Sequence, residues 1–207
     1  MIRNKAHRPR LPARLRGDTS GATLLEFAFV GPVLVLMIMG LFDVAHSQYT
    51  LSVLQGAIQK AGRDLALESG SVNEGDIDDY LTEQVKAVVP SNAEVTITKE
   101  SFFDFNDVGR AEPFTDGSNA DGKCNANEPY IDVNGNGRFD NSRGTDGLGT
   151  ARDAVLYTAT VSYPRLFPMY GLAGLPQDAS LSGTTVLRNQ PFDEQAGRGA
   201  TQRNCNP

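Results

Sequence analysis

Apolar and polar positions are distributed unevenly along the chain. Residues 27–42 form an uncharged apolar run between Glu26 and Asp43. A helix over this run would be roughly 24 Å long, slightly short of a bilayer core, and a few flanking residues bring it to spanning length. Beyond it, apolar residues recur every three or four positions, which predicts that the helix continues as an amphipathic stem. They are Leu51, Leu54, Ile58, Ala61 and Leu65.

The following segments predict one more helix and several strands. Residues 76–89 have apolar positions at helical spacing and end at Pro90. Period-two alternation or β-rich composition predicts strands. The predicted strands cover 94–99, with 102–105 extending or following the first, then 155–163 and 181–187. Helices followed by strands favour an α+β fold, in which the stem packs on a small antiparallel sheet.

Charge changes the interpretation of the apolar run. The first 20 residues carry six basic residues and one acidic residue, whereas the remaining chain carries 13 basic and 24 acidic residues. Basic residues before an apolar span mark its cytoplasmic side. We therefore expect a single-pass membrane protein with a cytoplasmic leader and an extracytoplasmic domain. The net charge of −6 argues against a general nucleic-acid binder.

Glu26 is difficult to explain in an ordinary membrane anchor, because a carboxylate inside the span costs a few kcal/mol unless it is protonated or paired. A cleaved secretory signal is a second interpretation, but the sequence offers a poor cleavage site. A prepilin-type leader is the third: it has basic residues, a Gly, and then a hydrophobic helix with Glu as the fifth residue. The sequence reads Gly21-Ala22-Thr23-Leu24-Leu25-Glu26-Phe27.

These features resemble the TadE-like family of minor pilins or pseudopilins, which serve the tight-adherence (Tad/Flp) branch of type IV pilus-like systems. The chain shares G-A-x-x-x-E-F-A, V-x-P, an aliphatic run ending G-x-x-D and a helix ending A-x-R, over roughly residues 17–67. The resemblance implies cleavage after Gly21 by a prepilin peptidase, with Ala22 as the new N-terminus. Phe27 stands where many Flp-type leaders have Tyr. Implied partners are other pseudopilins, the major pilin and the pilus platform membrane proteins.

A role for Glu26 follows from the burial of charge. In a helical bundle within lipid, its carboxylate can pair with the free α-amino group of a neighbouring subunit and set the register between subunits. The alternative is an ordinary anchor in which Glu26 is protonated or reaches the headgroups.

The segment between the strands, about residues 112–150, is dense in Asp, Asn and Gly. A loop this long inside a compact domain needs something to organise it. Asp132–Asp140 matches D-x-[DN]-x-[DN]-G and resembles EF-hand-like and dockerin-like calcium loops. The candidate Ca²⁺ ligands are Asp132, Asn134, Asn136, the carbonyl of Arg138, and Asp140.

The calcium loop departs from its pattern at position twelve. Arg143 stands there instead of an acidic residue, so Asp146, Asp153 or Glu128 would have to substitute. With two carboxylates in the motif, the expected affinity is that of extracellular modules, around 10⁻⁴–10⁻³ M. The competing interpretation is turn chemistry alone, because Asn and Gly tolerate positive φ.

The two cysteines provide the second candidate organiser. In an extracytoplasmic domain, Cys124 and Cys205 predict one disulfide that ties the loop to the C-terminus. Free thiols or an intermolecular bridge are the alternatives. No catalytic site is predicted, because His7 lies in the leader and His46 at the membrane, and no nucleophile has an adjacent base.

The sequence thus divides into a basic leader (1–21), a membrane and stem helix (22–69), an extracytoplasmic α+β domain (70–194) containing the 112–150 insertion, and a flexible tail (195–207). The expected function is that of a minor pilin for initiating, priming or capping an adhesive pilus. The alternative is a membrane-tethered binding module or adhesin with a calcium-stabilised loop, and an anchored enzyme is the weakest hypothesis.

Overall fold

The computed structural model describes residues 20–67, 73–117, 120–167, 169–172, 174–190, 195, 197 and 199–206, without the side chains of Ser20, Ala22, Thr23 and Leu172. Residues 1–19 of the predicted leader lie outside the described residues.

One long helix dominates the described chain. Helix α1 covers Ser20–Leu65, α2 covers Glu74–Lys86, and the single turn α3 covers Met169–Leu172. The continuous α1 confirms that the apolar run and the stem form one helix. The predicted second helix is also present, but it starts two residues earlier than expected and ends three earlier, because residues 87–89 turn away before Pro90.

The strands form two antiparallel sheets. They are β1 (Glu94–Phe102), β2 (Pro129–Asp132), β3 (Thr145–Asp146), β4 (Ala154–Pro164), β5 (Asp178–Arg188) and β6 (Thr201–Asn204). The main sheet has the order β3-β1-β4-β5, and β2 pairs with β6 separately. All three predicted strands are confirmed, and each is longer than its apolar pattern. The expected continuation over 102–105 is wrong beyond Phe102, because the chain bends at 103–104 and enters a single 3₁₀ turn at Phe105–Asp107.

The stem helix packs on one face of the main sheet. Of the predicted stripe, Leu54, Ile58, Ala61 and Leu65 are buried and Leu51 is only partly buried. The buried four share one core with the alternate β4 residues Tyr157, Ala159 and Val161. The packing is close: a Cβ at Gly183 of β5 would lie 2.6 Å from Ile58 Cδ1. These contacts confirm the α+β fold with an N-terminal helix on a small antiparallel sheet.

Helix α2 closes a second side of this core. Its Leu81 and Val85 are fully buried. Tyr157 donates a hydrogen bond to Asp78 Oδ1 at 2.7 Å, and Lys99 of β1 pairs with both Glu74 and Asp78. The two helices and the sheet therefore share one core with a partly buried ionic edge.

The two ends of the main sheet lie at different positions along α1. Tyr163, near the end of β4, contacts His46 and Ser47, whereas Leu187, near the end of β5, approaches Gly62. The Tyr163 end of the sheet therefore lies closest to the apolar half of α1. The 112–150 insertion lies towards the opposite end, where β3 pairs with the end of β1.

The expectation of a flexible tail is wrong for residues 201–205. Strand β6 pairs with β2 from Thr201 to Asn204, and Cys205 is buried. The sequence signal was weak because β6 is four exposed polar residues. Strand β6 is ordered because it pairs with β2 of the insertion, and it has no apolar pattern of its own.

Candidate functional site

The N-terminal half of α1 is an exposed apolar surface. Apart from Met39, which is partly buried, its large apolar side chains from Leu24 to Phe42 are 41–76% exposed. The helix is long and apolar enough to cross a membrane, with a mean hydropathy of 2.3 in its most apolar window and only 6% of that window buried. This surface fits a lipid or a bundle of apolar helices, and it makes α1 a candidate membrane anchor.

The predicted processing residues lie at the start of this surface. Gly21 is exposed in the first turn of α1, and no atom lies within 4 Å of a Cβ built on it. Glu26 is exposed just over one turn further along. The side chain of Ala22 lies outside the described atoms. Nothing within the described part of the fold therefore demands glycine at position 21.

Phe27 has a local role in the helix. Its ring packs over Gly31, where a Cβ would lie 3.1 Å from Phe27 Cε1. The next residue, Pro32, has no N–H to bond the carbonyl of Ala28, yet α1 continues through it. The aromatic residue of the predicted leader motif thus covers the weakest turn of the apolar helix.

A polar group on α1 marks the passage from the apolar half to the core. Asp43 and Thr50 are 2% and 0% exposed, and His46 Nε2 lies 2.9 Å from the carbonyl oxygen of Val88. Within the described residues, Asp43 Oδ2 and Thr50 Oγ1 have no hydrogen-bond partner. Sequence reasoning missed their burial, although Asp43 and Thr50 follow the same three-and-four spacing as the apolar stripe.

The Asp132–Asp140 segment folds as a closed turn. Asp132 is fully buried. Its Oδ1 accepts the Gly135 N–H at 2.7 Å and its Oδ2 accepts the Gly137 N–H at 2.9 Å, while Arg203 Nε lies 2.7 Å from Oδ2. Gly135 and Gly137 have φ of 77° and 81°, which only glycine adopts without strain.

Three other predicted ligands meet in the same loop. The side-chain amides of Asn134 and Asn136 both donate to Asp140 Oδ2, at 3.1 and 2.5 Å. Their carbonyl oxygens instead accept backbone N–H groups, including that of Arg138 at 2.8 Å from Asn136 Oδ1. Across the described residues, no group of three His, Cys, Asp or Glu side chains is arranged to hold a metal ion.

Arg143 and the three acidic residues that could substitute for it at position twelve do not converge on one point. Arg143 turns away to Asp107 Oδ1 at 2.7 Å. Asp146 lines an open cleft together with Asp140 and Glu100. Glu128 and Asp153 accept hydrogen bonds elsewhere, from the Gly117 and Asn125 N–H groups and from Thr150 respectively.

Sequence reasoning missed the carboxylate on which the loop is built. Glu112 is 1% exposed. It accepts the N–H of Val133 at 2.7 Å through Oε1 and that of Asp140 at 3.2 Å through Oε2. A repeated Glu-Pro-aromatic pattern was an available signal: Glu112 precedes Pro-Phe and Glu128 precedes Pro-Tyr, and the two segments meet in a bridge between Phe114 and Tyr130.

The predicted disulfide is present. Cys124 and Cys205 are bonded, with their Cα atoms 5.8 Å apart. The bond joins the insertion to the residue that follows β6, so the ordered part of the tail is held by a covalent link and a two-stranded sheet.

Comparisons with known proteins bear on the helix. The model of the family described as TadE-like protein matches residues 21–63, which is 43 of the 207 residues. No curated protein and no solved structure matched the chain. The matched segment covers the exposed apolar half of α1 and most of the packed half, ending two residues before the helix does. This confirms the resemblance over the N-terminal helix, which is TadE-like. The match is consistent with a pilin-like protein of the tight-adherence (Tad) pilus system.

Proposed function

We propose that this chain is a minor pilin that takes part in assembling a tight-adherence pilus. The observation that carries the proposal is the coincidence of three features in α1. The family match begins at Gly21, the helix that follows exposes an apolar surface of spanning length, and Glu26 is the fifth residue after that Gly.

Maturation after Gly21 would leave a helix with a free α-amino group at Ala22. Within one subunit, Glu26 lies about one helical turn from that group. When two such helices pack in lipid with a small axial offset, the carboxylate of one can meet the amino group of the other. Each charge is costly alone in that environment, so the pair favours one register.

We call the described residues from Asp43 onward the head of the protein. The size of the head favours a minor position in the pilus. Its helix–sheet core and disulfide-bonded insertion make it large beside a subunit that consists mainly of a helix. Such a head suits initiation, priming or capping better than dense repetition along a filament. The expected partners are other pseudopilins and the major pilin through α1, together with the platform membrane proteins and the prepilin peptidase. We propose a structural rather than an enzymatic role.

The test of maturation is the N-terminal residue and intact mass of the protein from its native membrane fraction. The expected mature chain starts at Ala22, and Gly21→Ala should retain residues 1–21. Gly56→Ala is the matched control, because it also adds a methyl group in α1 where nothing lies within 4 Å. A native chain that keeps its leader, or a Gly21→Ala chain that is still cut, would refute maturation at this bond.

The test of the pairing role separates maturation from assembly. Glu26→Gln keeps the size of the side chain and removes its charge, so it should be matured normally but fail to join the pilus. Glu26→Asp keeps the charge and should assemble in part. The measurement is co-purification of the matured chain with sheared pili. Equal incorporation of Glu26→Gln and the unaltered chain would exclude charge pairing.

We also propose that the Asp132–Asp140 loop binds Ca²⁺ weakly and is thereby stabilised. The supporting observation is that Asn134, Asn136 and Asp140 already converge, beside a cleft that Asp146 and Glu100 also line. Binding would require the two amides to present oxygen instead of nitrogen. This site would also suit the alternative function, a membrane-tethered adhesin with a calcium-stabilised loop.

Calcium titration of the full chain in detergent tests this second proposal. Protection of the loop amides from hydrogen exchange should rise with a midpoint around 10⁻⁴–10⁻³ M, and chelation should reverse it. Asp140→Asn should abolish the response, whereas Asp121→Asn, at an exposed position in the same insertion, should retain it. An identical response to Mg²⁺, or none to Ca²⁺, would leave the loop as turn chemistry.

A further inference from the structure

The loop between β4 and β5 returns to the apolar half of α1. The Arg165 N–H donates to the Gln177 carbonyl at 2.9 Å and closes the base of the loop. At its tip, Met169 reaches the helix, where a Cβ built on Gly40 would lie 3.5 Å from Met169 Cε. We use "165–177 loop" for its described residues, which exclude Pro168 and Ala173.

The contact at Gly40 fixes the height of this loop relative to a membrane. A helix from Ala22 to Phe42 is about 30 Å long, the thickness of a bilayer hydrocarbon core. Gly40 lies in the last turn of that segment, one turn before Asp43. If α1 spans a bilayer over residues 22–42, the tip of the loop lies at the extracytoplasmic boundary.

The composition of the loop suits that boundary. Leu166 and Leu175 are 48% and 53% exposed, and an apolar crevice between loop and helix is lined by Gly40, Met169, Tyr170 and Leu175. Arg165 Cζ lies 3.9 Å from the centroid of the Tyr170 ring. Exposed leucines beside an aromatic ring and a guanidinium are typical of chain segments at the headgroup level.

We propose that the 165–177 loop is a second membrane contact, inserted among the lipid headgroups and upper acyl chains beside α1. The inference rests on the proposed function, because it needs α1 to span the bilayer. Lipid is favoured as the occupant because the apolar surface of the loop is continuous with the exposed apolar surface of the helix. Two attachments would fix the angle of the head on the membrane, and the loop must leave the lipid when the subunit enters a pilus.

The absence of Trp from the chain allows a direct test. Single-Trp variants of the full chain are reconstituted into vesicles of phosphatidylethanolamine and phosphatidylglycerol. Fluorescence quenching by lipids brominated at shallow or deep acyl positions then reports the depth of each residue. Leu166→Trp and Leu175→Trp should have blue-shifted emission and be quenched most by the shallow label. The expected depth is roughly 5–10 Å into the boundary between headgroups and acyl chains.

Two matched variants make the outcome decisive. Phe103 is similarly exposed, at 43%, and follows the end of β1 that lies farthest from the 165–177 loop. Phe103→Trp should therefore show no lipid quenching. Val33→Trp lies in the apolar half of α1 and should be quenched by the deep label. If Val33→Trp is quenched and both loop variants behave like Phe103→Trp, the loop proposal is wrong while the span stands.

Other results would overturn the proposal in distinguishable ways. If Val33→Trp is not quenched either, α1 does not span the bilayer, and the proposed function fails together with the loop contact. If the loop variants escape lipid quenching but become shielded from acrylamide only when other pilins are reconstituted with them, the surface is a subunit interface and not a lipid contact.

Discussion

The helix–sheet core and the 112–150 insertion are held together by different interactions. The core buries aliphatic and aromatic side chains, such as Leu54, Ile58 and Val161. The insertion buries carboxylates, with Glu112, Glu128 and Asp132 all less than one-tenth exposed. Both regions are ordered, although the insertion has no periodic apolar pattern and its buried apolar contacts centre on Tyr130, which packs against Phe139.

The hydrogen bonds of the insertion explain how this works. A buried carboxylate destabilises the fold unless its oxygens receive hydrogen bonds. Here Glu112 and Asp132 accept backbone N–H groups from the turn around Gly135 and Gly137. Turn residues have no sheet partner for those N–H groups, so carboxylate and turn satisfy each other. The insertion should therefore respond to removal of specific acceptors, and the core to removal of volume.

The largest expected effect is loss of the disulfide. The Cys124→Ser/Cys205→Ser double variant opens a closed segment of 81 residues, and loop entropy gives a loss of stability of up to about 4.5 kcal/mol. Hydrogen exchange of the full chain in detergent should show lost protection mainly in β2 and β6, with the core less affected. Reduction of the unaltered chain is the control and should give the same pattern. Equal loss across α1 and β4 would mean that the two regions unfold as one unit.

A cavity in the core is expected to have the next largest effect. Leu54→Ala removes a fully buried side chain between α1 and the sheet, so unfolding by denaturant should become about 3 kcal/mol easier. Leu67→Ala, at a half-exposed position just after α1, is the matched control and should change stability little. Insertion amides should lose less protection than core amides. The reverse order would contradict the view that volume matters chiefly in the core.

The same contrast explains how much of the fold was predictable. The Leu54–Leu65 stripe and the β4 alternation carried enough signal to predict the core, because burial there follows apolar periodicity. Strand β5 was predicted to start at Leu181 but starts at Asp178, because its first residues are small and polar. Ser180 and Ser182 instead pair by hydroxyl contacts with Ser162 and Thr160.

The insertion was predictable only in part. Its composition indicated an organised loop, and the cysteines indicated the bond that is present. The pairing of β2 with β6 and the burial of Glu112 depend on residues far apart in sequence, with no periodicity to reveal them. The Asp132–Asp140 motif predicted a calcium loop, with turn chemistry as the alternative. Neither interpretation anticipated Arg203, the cation beside Asp132, which lies in the tail that was expected to be flexible.

Removing a single acceptor from the insertion should have an intermediate effect. Glu112→Gln keeps the shape but places an amide nitrogen against backbone N–H groups, so stability should fall by about 2 kcal/mol. Exchange should accelerate at Val133 and Asp140, which donate to Glu112, and not in α1. Glu94→Gln, at an exposed position in β1, is the matched control. Unchanged exchange at those two amides would show that the carboxylate does not hold the loop.

Alkaline pH should give the smallest effect, and it acts on both regions. Burial raises the pKa of Tyr157 in the core, and the hydrogen bond to Asp78 raises it further. Burial also raises the pKa of Tyr130 in the insertion, and the negative charge of Asp132 raises it further. A raised pKa favours the protonated phenol in the folded state. Its contribution is therefore full below the unfolded value of about 10 and is lost as the pH rises above it.

At one pH unit above 10, the Tyr157 phenol should reduce stability by about 1.4 kcal/mol, and the Tyr130 phenol should reduce it in the same direction. Tyr157→Phe should remove the alkaline loss from the core and leave that of the insertion, and Tyr130→Phe should do the opposite. The measurement is hydrogen exchange corrected for intrinsic rates, or denaturant unfolding, at about pH 8 and about pH 11. Tyr49→Phe, at an exposed position on α1, serves as the control. If Tyr157→Phe flattened the loss in both regions together, a shared transition would link the core and the insertion despite their different interactions.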